Sequence, residues 1–225
     1  LDQADKAESI LRMTLPRAAV EQLKGGQQPP FEVSNDDCTV MMADIVGFTQ
    51  MAETIRPQEL IRILDEIFHE YDRLAERRGL EKIKTMGDGY MIAAGAPDPY
   101  PGHEDAIARL ALDLVATTRE LGKRFGLPLE VRIGIHSGVA WGGVIGQTRI
   151  AYDIWGDTVN MAARMEQHGL PGRIQLSQET AERLSGRFNI EARGMIAVKN
   201  KGEVHTYFLN GVADEPASAQ TEAAS

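Results

Sequence analysis

The stretch Leu80–Pro97, LEKIKTMGDGYMIAAGAP, decides how the rest of the chain is read. Two runs of strand-forming residues flank Gly87-Asp88-Gly89, and Asp-Gly is a preferred hairpin dipeptide because it accepts positive φ. The stretch predicts a β-hairpin with a carboxylate, Asp88, at its tip and two lysines, Lys82 and Lys84, along its first strand. Turn chemistry alone accounts for Asp88 in isolation, so any further role has to come from partners elsewhere in the chain.

Upstream, Cys38–Thr49 (CTVMMADIVGFT) is an apolar run bounded by turn residues and reads as a buried strand ending near Asp44. Pro57 opens a helix whose apolar face is Leu60, Leu64, Ile67, Tyr71 and Leu74, and Gly79 ends it. Downstream, a second helix runs from about Glu104 to Phe125 with Ile107, Leu110, Ala111, Leu114 and Leu121 inward. LEVRIGIHSG then alternates, placing Leu129, Val131, Ile133 and Ile135 on one face of a strand. The glycine-rich GVAWGGVIG leads on to a short helix starting near Gly156, and short strands around one helix follow. Strand, helix, hairpin, helix, strand, then added elements: this order predicts an α+β sandwich with helices over a mainly antiparallel sheet.

Residues 1–25 read as an amphipathic connector helix in two pieces broken at Pro16. Its apolar residues Leu11, Met13, Leu15, Val20 and Leu23 are too few for a core of their own. A loop, GGQQPPFEVSNDD, follows, the main domain covers 26–212, and the small, polar tail 213–225 is expected to be disordered. The chain starts at Leu1 rather than Met, which leaves room for an upstream sensor or membrane region in a longer protein.

The 225 residues suit one domain with a single core. A net charge of −9 argues against a nucleic-acid binder but leaves room for a small anion where a few cations converge. The single cysteine, Cys38, allows no intramolecular disulfide and points to a reducing, cytoplasmic setting. No apolar run reaches the ~20 residues of a membrane span. The five histidines show no zinc-ligand spacing, and His136 reads as a structural hydrogen bonder. The glycines at 138, 142, 143 and 146 form neither a Walker loop nor a dinucleotide fingerprint, and a serine nucleophile elbow is missing.

Two carboxylates stand out, Asp44 at the end of the first strand and Asp88 at the hairpin tip. If the strands are neighbours, both point to one end of the sheet, where a hard cation such as Mg²⁺ takes one or two carboxylates. Two exposed turn aspartates would give the same spacing. Asn160 and Arg164 are four apart and share a helix face, which suits a grip on ribose and phosphate or simply a solvated surface. Lys199, Lys201 and Arg149 are candidate sources of local positive charge.

MMADIVGFT, LEKIKTMGDGYM, LEVRIGIHSG, AYDIWGDTVNMAARME and the closing ARGMIAVKNKGEVHTYFL, in that order, resemble the catalytic domain of class III nucleotidyl cyclases over about Asp36–Leu209. The resemblance implies a ferredoxin-like, palm-type sheet, extended by C-terminal strands and a helix. It implies conversion of a nucleoside triphosphate to a 3′,5′-cyclic monophosphate and pyrophosphate, with two divalent cations (Mg²⁺ or Mn²⁺), at sites shared across a homodimer. By position, Asp44 and Asp88 would be the metal carboxylates and the Ile45 carbonyl a further ligand. The backbone of Gly47, Phe48 and Thr49 would hold phosphates, Asn160 would orient ribose, and Arg164 would stabilise the α-phosphate. Lys199 matches the lysine on the terminal phosphates. Arg149, one residue out of register, is the candidate for the phosphate-side arginine of some relatives.

The resemblance also implies that Lys84 and Asp153 choose the base. A lysine only donates, which suits adenine N1, and a carboxylate only accepts, which suits the adenine N6 amine. Guanine reverses both edges, and guanylyl cyclases of this family carry Glu and Cys in these places. ATP is the substrate this pair implies. The alternatives are a guanylyl cyclase and a non-catalytic, nucleotide-binding cyclase-like module.

Overall fold

The computed structural model describes residues 10–12 and 14–213. The expected tail beyond 213, Met13 and the first part of the connector helix lie outside the described residues. Helix α1 (Arg17–Lys24) precedes strand β1 (Phe31–Ile45), helices α2 (Phe48–Thr54) and α3 (Pro57–Glu76), and the hairpin β2 (Glu81–Met86) and β3 (Gly89–Ala94). Helix α4 (His103–Phe125), strands β4 (Val131–Ile145) and β5 (Ala151–Trp155) and helix α5 (Asp157–Gln167) follow. The described residues end with β6 (Ile174–Ser177), α6 (Gln178–Leu184), β7 (Phe188–Val198) and β8 (Gly202–Val212).

The strands form one eight-stranded sheet in the order β2-β3-β1-β4-β6-β8-β7, with β5 paired to β4. Every pairing is antiparallel except β4 with β6. The run from β1 to β4 is a β-α-β-β-α-β unit whose strand order is that of a ferredoxin-like fold. The α+β reading and its C-terminal extension are borne out.

Alternation along β1 and β4 divides the interior in two. Met41, Ala43 and Ile45 of β1 and Val131, Ile133 and Ile135 of β4 face α3 and α4 in the larger core. Helix α3 buries Ile63, Ile67, Tyr71, Leu74 and Ala75, so its inner face is centred near Ile67 and takes in Ile63, while Leu60 stays half-buried at the rim. The Tyr71 hydroxyl and Thr118 Oγ1, 2.5 Å apart, tie α3 to α4. Glu104 and Asp105 in the first turn of α4, Lys123 and Arg124 in its last, complement its dipole, and left-handed Gly126 ends it. On the other face, Val40 and Met42 of β1 and Ala140 and Val144 of β4 pack with Tyr152, Ile154 and Ala162. Leu15, Ala19 and Val20 join this second core, so the end of the connector segment is docked on the sheet.

One expectation is corrected. The segment expected as a loop through Asp37 is a strand from Phe31 onward, paired with β4 from Cys38–Gly138 out to Phe31–Val144. Its polar residues, SNDD, look like turn residues. They are extended because GVAWGGVIG is itself a strand and supplies the partner. The glycines there serve close packing: a Cβ at Gly142 would meet Ser34 Oγ and the Tyr152 hydroxyl, and one at Gly143 would meet the Phe31 carbonyl oxygen. Among the described residues no helix is long and apolar enough to cross a membrane.

Candidate active site

At the end of β1, Asp44 pairs with Gly89 on one side and with Arg132 on the other. The hairpin tip therefore brings Asp88 within hydrogen-bonding reach of the Asp44 carboxyl. The Arg132 guanidinium donates to Asp44 Oδ2 (3.2 Å) through Nη2 and to Glu166 Oε1 (2.6 Å) through Nε. Burial, then the negative charges of Asp88 and Glu166, push the Asp44 carboxyl up to about 6. This outweighs the Arg132 charge beside it. Two crowded carboxylates whose negative charge is costly offer the excess charge that a hard cation neutralises. Among the described residues no three His, Cys or acidic side chains gather as a metal cluster. Asp44, Asp88 and the Ile45 carbonyl would thus leave most of a cation's places to water or phosphate oxygens, which fits Mg²⁺ or Mn²⁺. Directly after them Gly47, at φ 74°, turns the chain into α2 with no side-chain cap, so the first-turn N–H groups of Phe48 and Thr49 face outward from the helix start.

Helix α5 lies along β4 on the same side of the sheet. A Cβ at Gly134 would overlap the backbone nitrogen of Glu166, and Thr158 Oγ1 donates to the Val139 carbonyl at 2.6 Å. Buried Ala162 and Met165 complete the seam. The helix turns Glu166 toward Arg132, whereas Asn160 and Arg164 line a cleft of about 240 Å³ with Met161, Asp157 and the β7–β8 turn Lys199-Asn200-Lys201. Residues 164 and 166 lie about 200° apart around a helix, so α5 stands between the two groups. In the cleft Lys201 pairs with Asp157 at 2.6 Å and Arg164 donates to Gln167 Oε1 at 2.7 Å. Asn200 adopts φ 66°, closing the turn that presents both lysines.

The lysines of the opening hairpin part company. A bulge between Lys82 and Lys84 places Lys82 opposite Ile92 and Lys84 opposite Met91, on opposite faces of the sheet. Lys82 binds Asp72 of α3 at 2.6 Å, and the Tyr90 hydroxyl donates to the same carboxylate at 2.8 Å. Lys84 crosses to β5 and meets Asp153 Oδ2 at 2.5 Å, while the Ile154 N–H fixes Asp153 Oδ1 at 2.9 Å.

The structure thus brings Asp44 to Asp88, Lys84 to Asp153, and Asn160 and Arg164 to Lys199 and Lys201. Arg149 is exposed in the β4–β5 turn, at the other end of β4 from Arg132, and joins none of these groups. His136 is buried with Nδ1 2.7 Å from Ser177 Oγ, in the structural role expected, and Cys38 is a core residue. Arg132 and Glu166 escaped the sequence reading. Arg132 is the polar residue between inward-facing Val131 and Ile133, and only the strand register sets it against Asp44.

Residues 32–211 match the family model described as the adenylate and guanylate cyclase catalytic domain. The chain is 41% identical over 214 residues to an adenylate cyclase of Mycobacterium tuberculosis, covering 94% of this chain and 48% of that protein. It is 36% identical over 219 residues to guanylate cyclase soluble subunit beta-2 of Rattus norvegicus, covering 93% and 32%. The chain therefore spans half or less of the length of these relatives. The crystal structure of the guanylate cyclase domain of RhGC from Catenaria anguillulae in complex with GTP is similar at a TM-score of 0.76 and 32% identity, covering 79% of this chain and 98% of that one.

Proposed function

This chain belongs to the class III nucleotidyl cyclases, the family of adenylate and guanylate cyclase catalytic domains, and on that premise we propose that it converts ATP to 3′,5′-cyclic AMP and pyrophosphate. The observation that carries the choice of ATP is the contact of Lys84 with Asp153, one pure donor beside one pure acceptor. That edge is complementary to adenine N1 and N6 and repels the guanine edge at both positions.

The other residues bind and orient the rest of the substrate. Asn160 holds the ribose, Arg164 offers its donors to the α-phosphate as negative charge builds there, and Lys199 holds the terminal phosphates. Arg132, beside Asp44, adds a guanidinium where the triphosphate and the carboxylates meet. Asp44, Asp88 and the Ile45 carbonyl would hold the divalent cations, which when bound lower the pKa of the 3′-hydroxyl and neutralise the phosphates. Positioning and charge neutralisation dominate phosphoryl transfer, and no side chain here has to form a covalent bond to substrate.

The working unit we propose is a homodimer with two sites, each using Asp44 and Asp88 of one copy and Lys84, Asp153, Asn160 and Arg164 of the other. Two observations support it. Helix α5 separates the carboxylates from Asn160 and Arg164 within one chain. The second half of β4 also outruns the helix layer, leaving Val139, Trp141 and Ile145 exposed beside Trp155. With Pro30 and Phe31, the last three line an apolar cleft of about 360 Å³ on the hairpin that carries Asp153, and a second copy would cover it.

The test is turnover by the purified chain with Mg²⁺ or Mn²⁺. Cyclic AMP from ATP, exceeding cyclic GMP from GTP at least tenfold, is expected. Preference for GTP would make it a guanylate cyclase, and no turnover with bound nucleotide would make it a binding module.

A further inference from the structure

Lys84 and Asp153 read one edge of a base, and nothing in that pair senses whether the base has one ring or two. Adenine presents an exocyclic amine beside a ring-nitrogen acceptor. Cytosine presents the same two groups in the same order, its N4 amine beside N3, whereas uracil and guanine each present a carbonyl beside a ring N–H. We propose that the same site takes CTP as a second substrate and forms 3′,5′-cyclic CMP, an inference that rests on the reading of this pair as the base pocket.

The geometry favours tolerance of ring size. Asp153 is the fixed member, held through Oδ1 by the Ile154 N–H. Lys84 is the adaptable one, an ammonium on a four-carbon stem with 37% of its side chain exposed. A pyrimidine edge sits closer to the ribose than a purine edge, so the lysine stem follows the ring nitrogen while the N4 amine meets the fixed Asp153 carboxylate through a bridging water. Asn160, Arg164, Arg132 and Lys199 address ribose and phosphates, which all four nucleoside triphosphates share. The step is the same: the 3′-oxygen bonds to the α-phosphorus, the bond to the bridging oxygen of the β-phosphate breaks, pyrophosphate leaves, and the hydroxyl proton passes to solvent.

The experiment compares ATP, CTP, GTP and UTP with the purified chain and Mn²⁺, by kcat/KM. CTP is expected below ATP, because the smaller ring makes less contact, but about tenfold or more above UTP and GTP. Lys84→Glu is expected to lower ATP and CTP use by similar factors and not to lower UTP or GTP use. If ATP is turned over while CTP is no better than UTP, or if Lys84→Glu lowers ATP use and spares CTP, the second activity is refuted and the adenylate cyclase reading stands. If no triphosphate is turned over, both readings fail together.

Discussion

Asp44 sits in a place that burial, Asp88 and Glu166 make costly for its charge. Its carboxyl holds a proton more tightly folded than unfolded, so its favourable contribution is full below the ordinary value of 3.8 and is lost as pH rises through about 6. Asp44→Asn removes that penalty and leaves Arg132 its bond to Glu166. In chelator at pH 7.5 the variant is expected to melt at or above the wild-type temperature, with the gap closing toward pH 4. Mn²⁺ is expected to raise the wild-type Tm and not that of the variant, which loses turnover. A variant clearly less stable than wild type at pH 7.5 would make Asp44 a structural partner of Arg132 instead. The base pocket gives a second outcome at this scale. Lys84→Glu with Asp153→Cys is expected to lower ATP use about a hundredfold and raise GTP use, since mismatched polar groups discriminate strongly. Undiminished ATP turnover would remove both residues from the pocket. Asp44, Asp88, Lys84 and Asp153 were all legible in the sequence as a family pattern. Arg132 and Glu166 were not, because Arg132 acquires meaning only from the β1–β4 register and Glu166 only from the seating of α5 on β4.

The long β1–β4 ribbon shows where local pattern gives out. Helices α3 and α4 follow from periodicity, since each buries one continuous face, and the opening hairpin follows from its turn residues. The first half of β1 does not, because SNDD is polar and its strand partner is the glycine-interrupted stretch Gly138–Val144. Those glycines are set by what lies on them, which no local rule encodes. Gly134, earlier in β4 and opposite Met42, is the sharpest case of the same constraint, since α5 rests on it. Gly134→Ala is expected to lift α5 off β4, costing about 1–3 kcal/mol in a denaturant melt and most of the turnover. Wild-type kinetics in that variant would mean that the seating of α5 does not position Asn160 and Arg164. The bulge in β2 is equally invisible in EKIKTM, yet it sends Lys82 to Asp72 and Lys84 to Asp153.

For the whole molecule, an α+β sandwich was readable from element order, whereas the ferredoxin-like sheet and the division of the candidate site residues between two copies came only from the family resemblance. The proposed shared site draws its physical support from the fold: α5 lies between the two groups, and the β4–β5 ribbon carries exposed tryptophans beside Asp153. The most direct test mixes two inactive proteins. Asp44→Ala and Arg164→Ala, made separately, each strip an essential charge from both sites of a homodimer, at a cost of ~10²–10³ in rate. After subunit exchange, a mixed dimer gathers both lesions into one site and leaves the other intact. Cyclic AMP formation should therefore rise on mixing, to at most about half the wild-type rate per mixed dimer, as two sites sharing residues across a two-fold axis require. A mixture that stays as inactive as its components, with exchange shown by mass, would contradict the shared site.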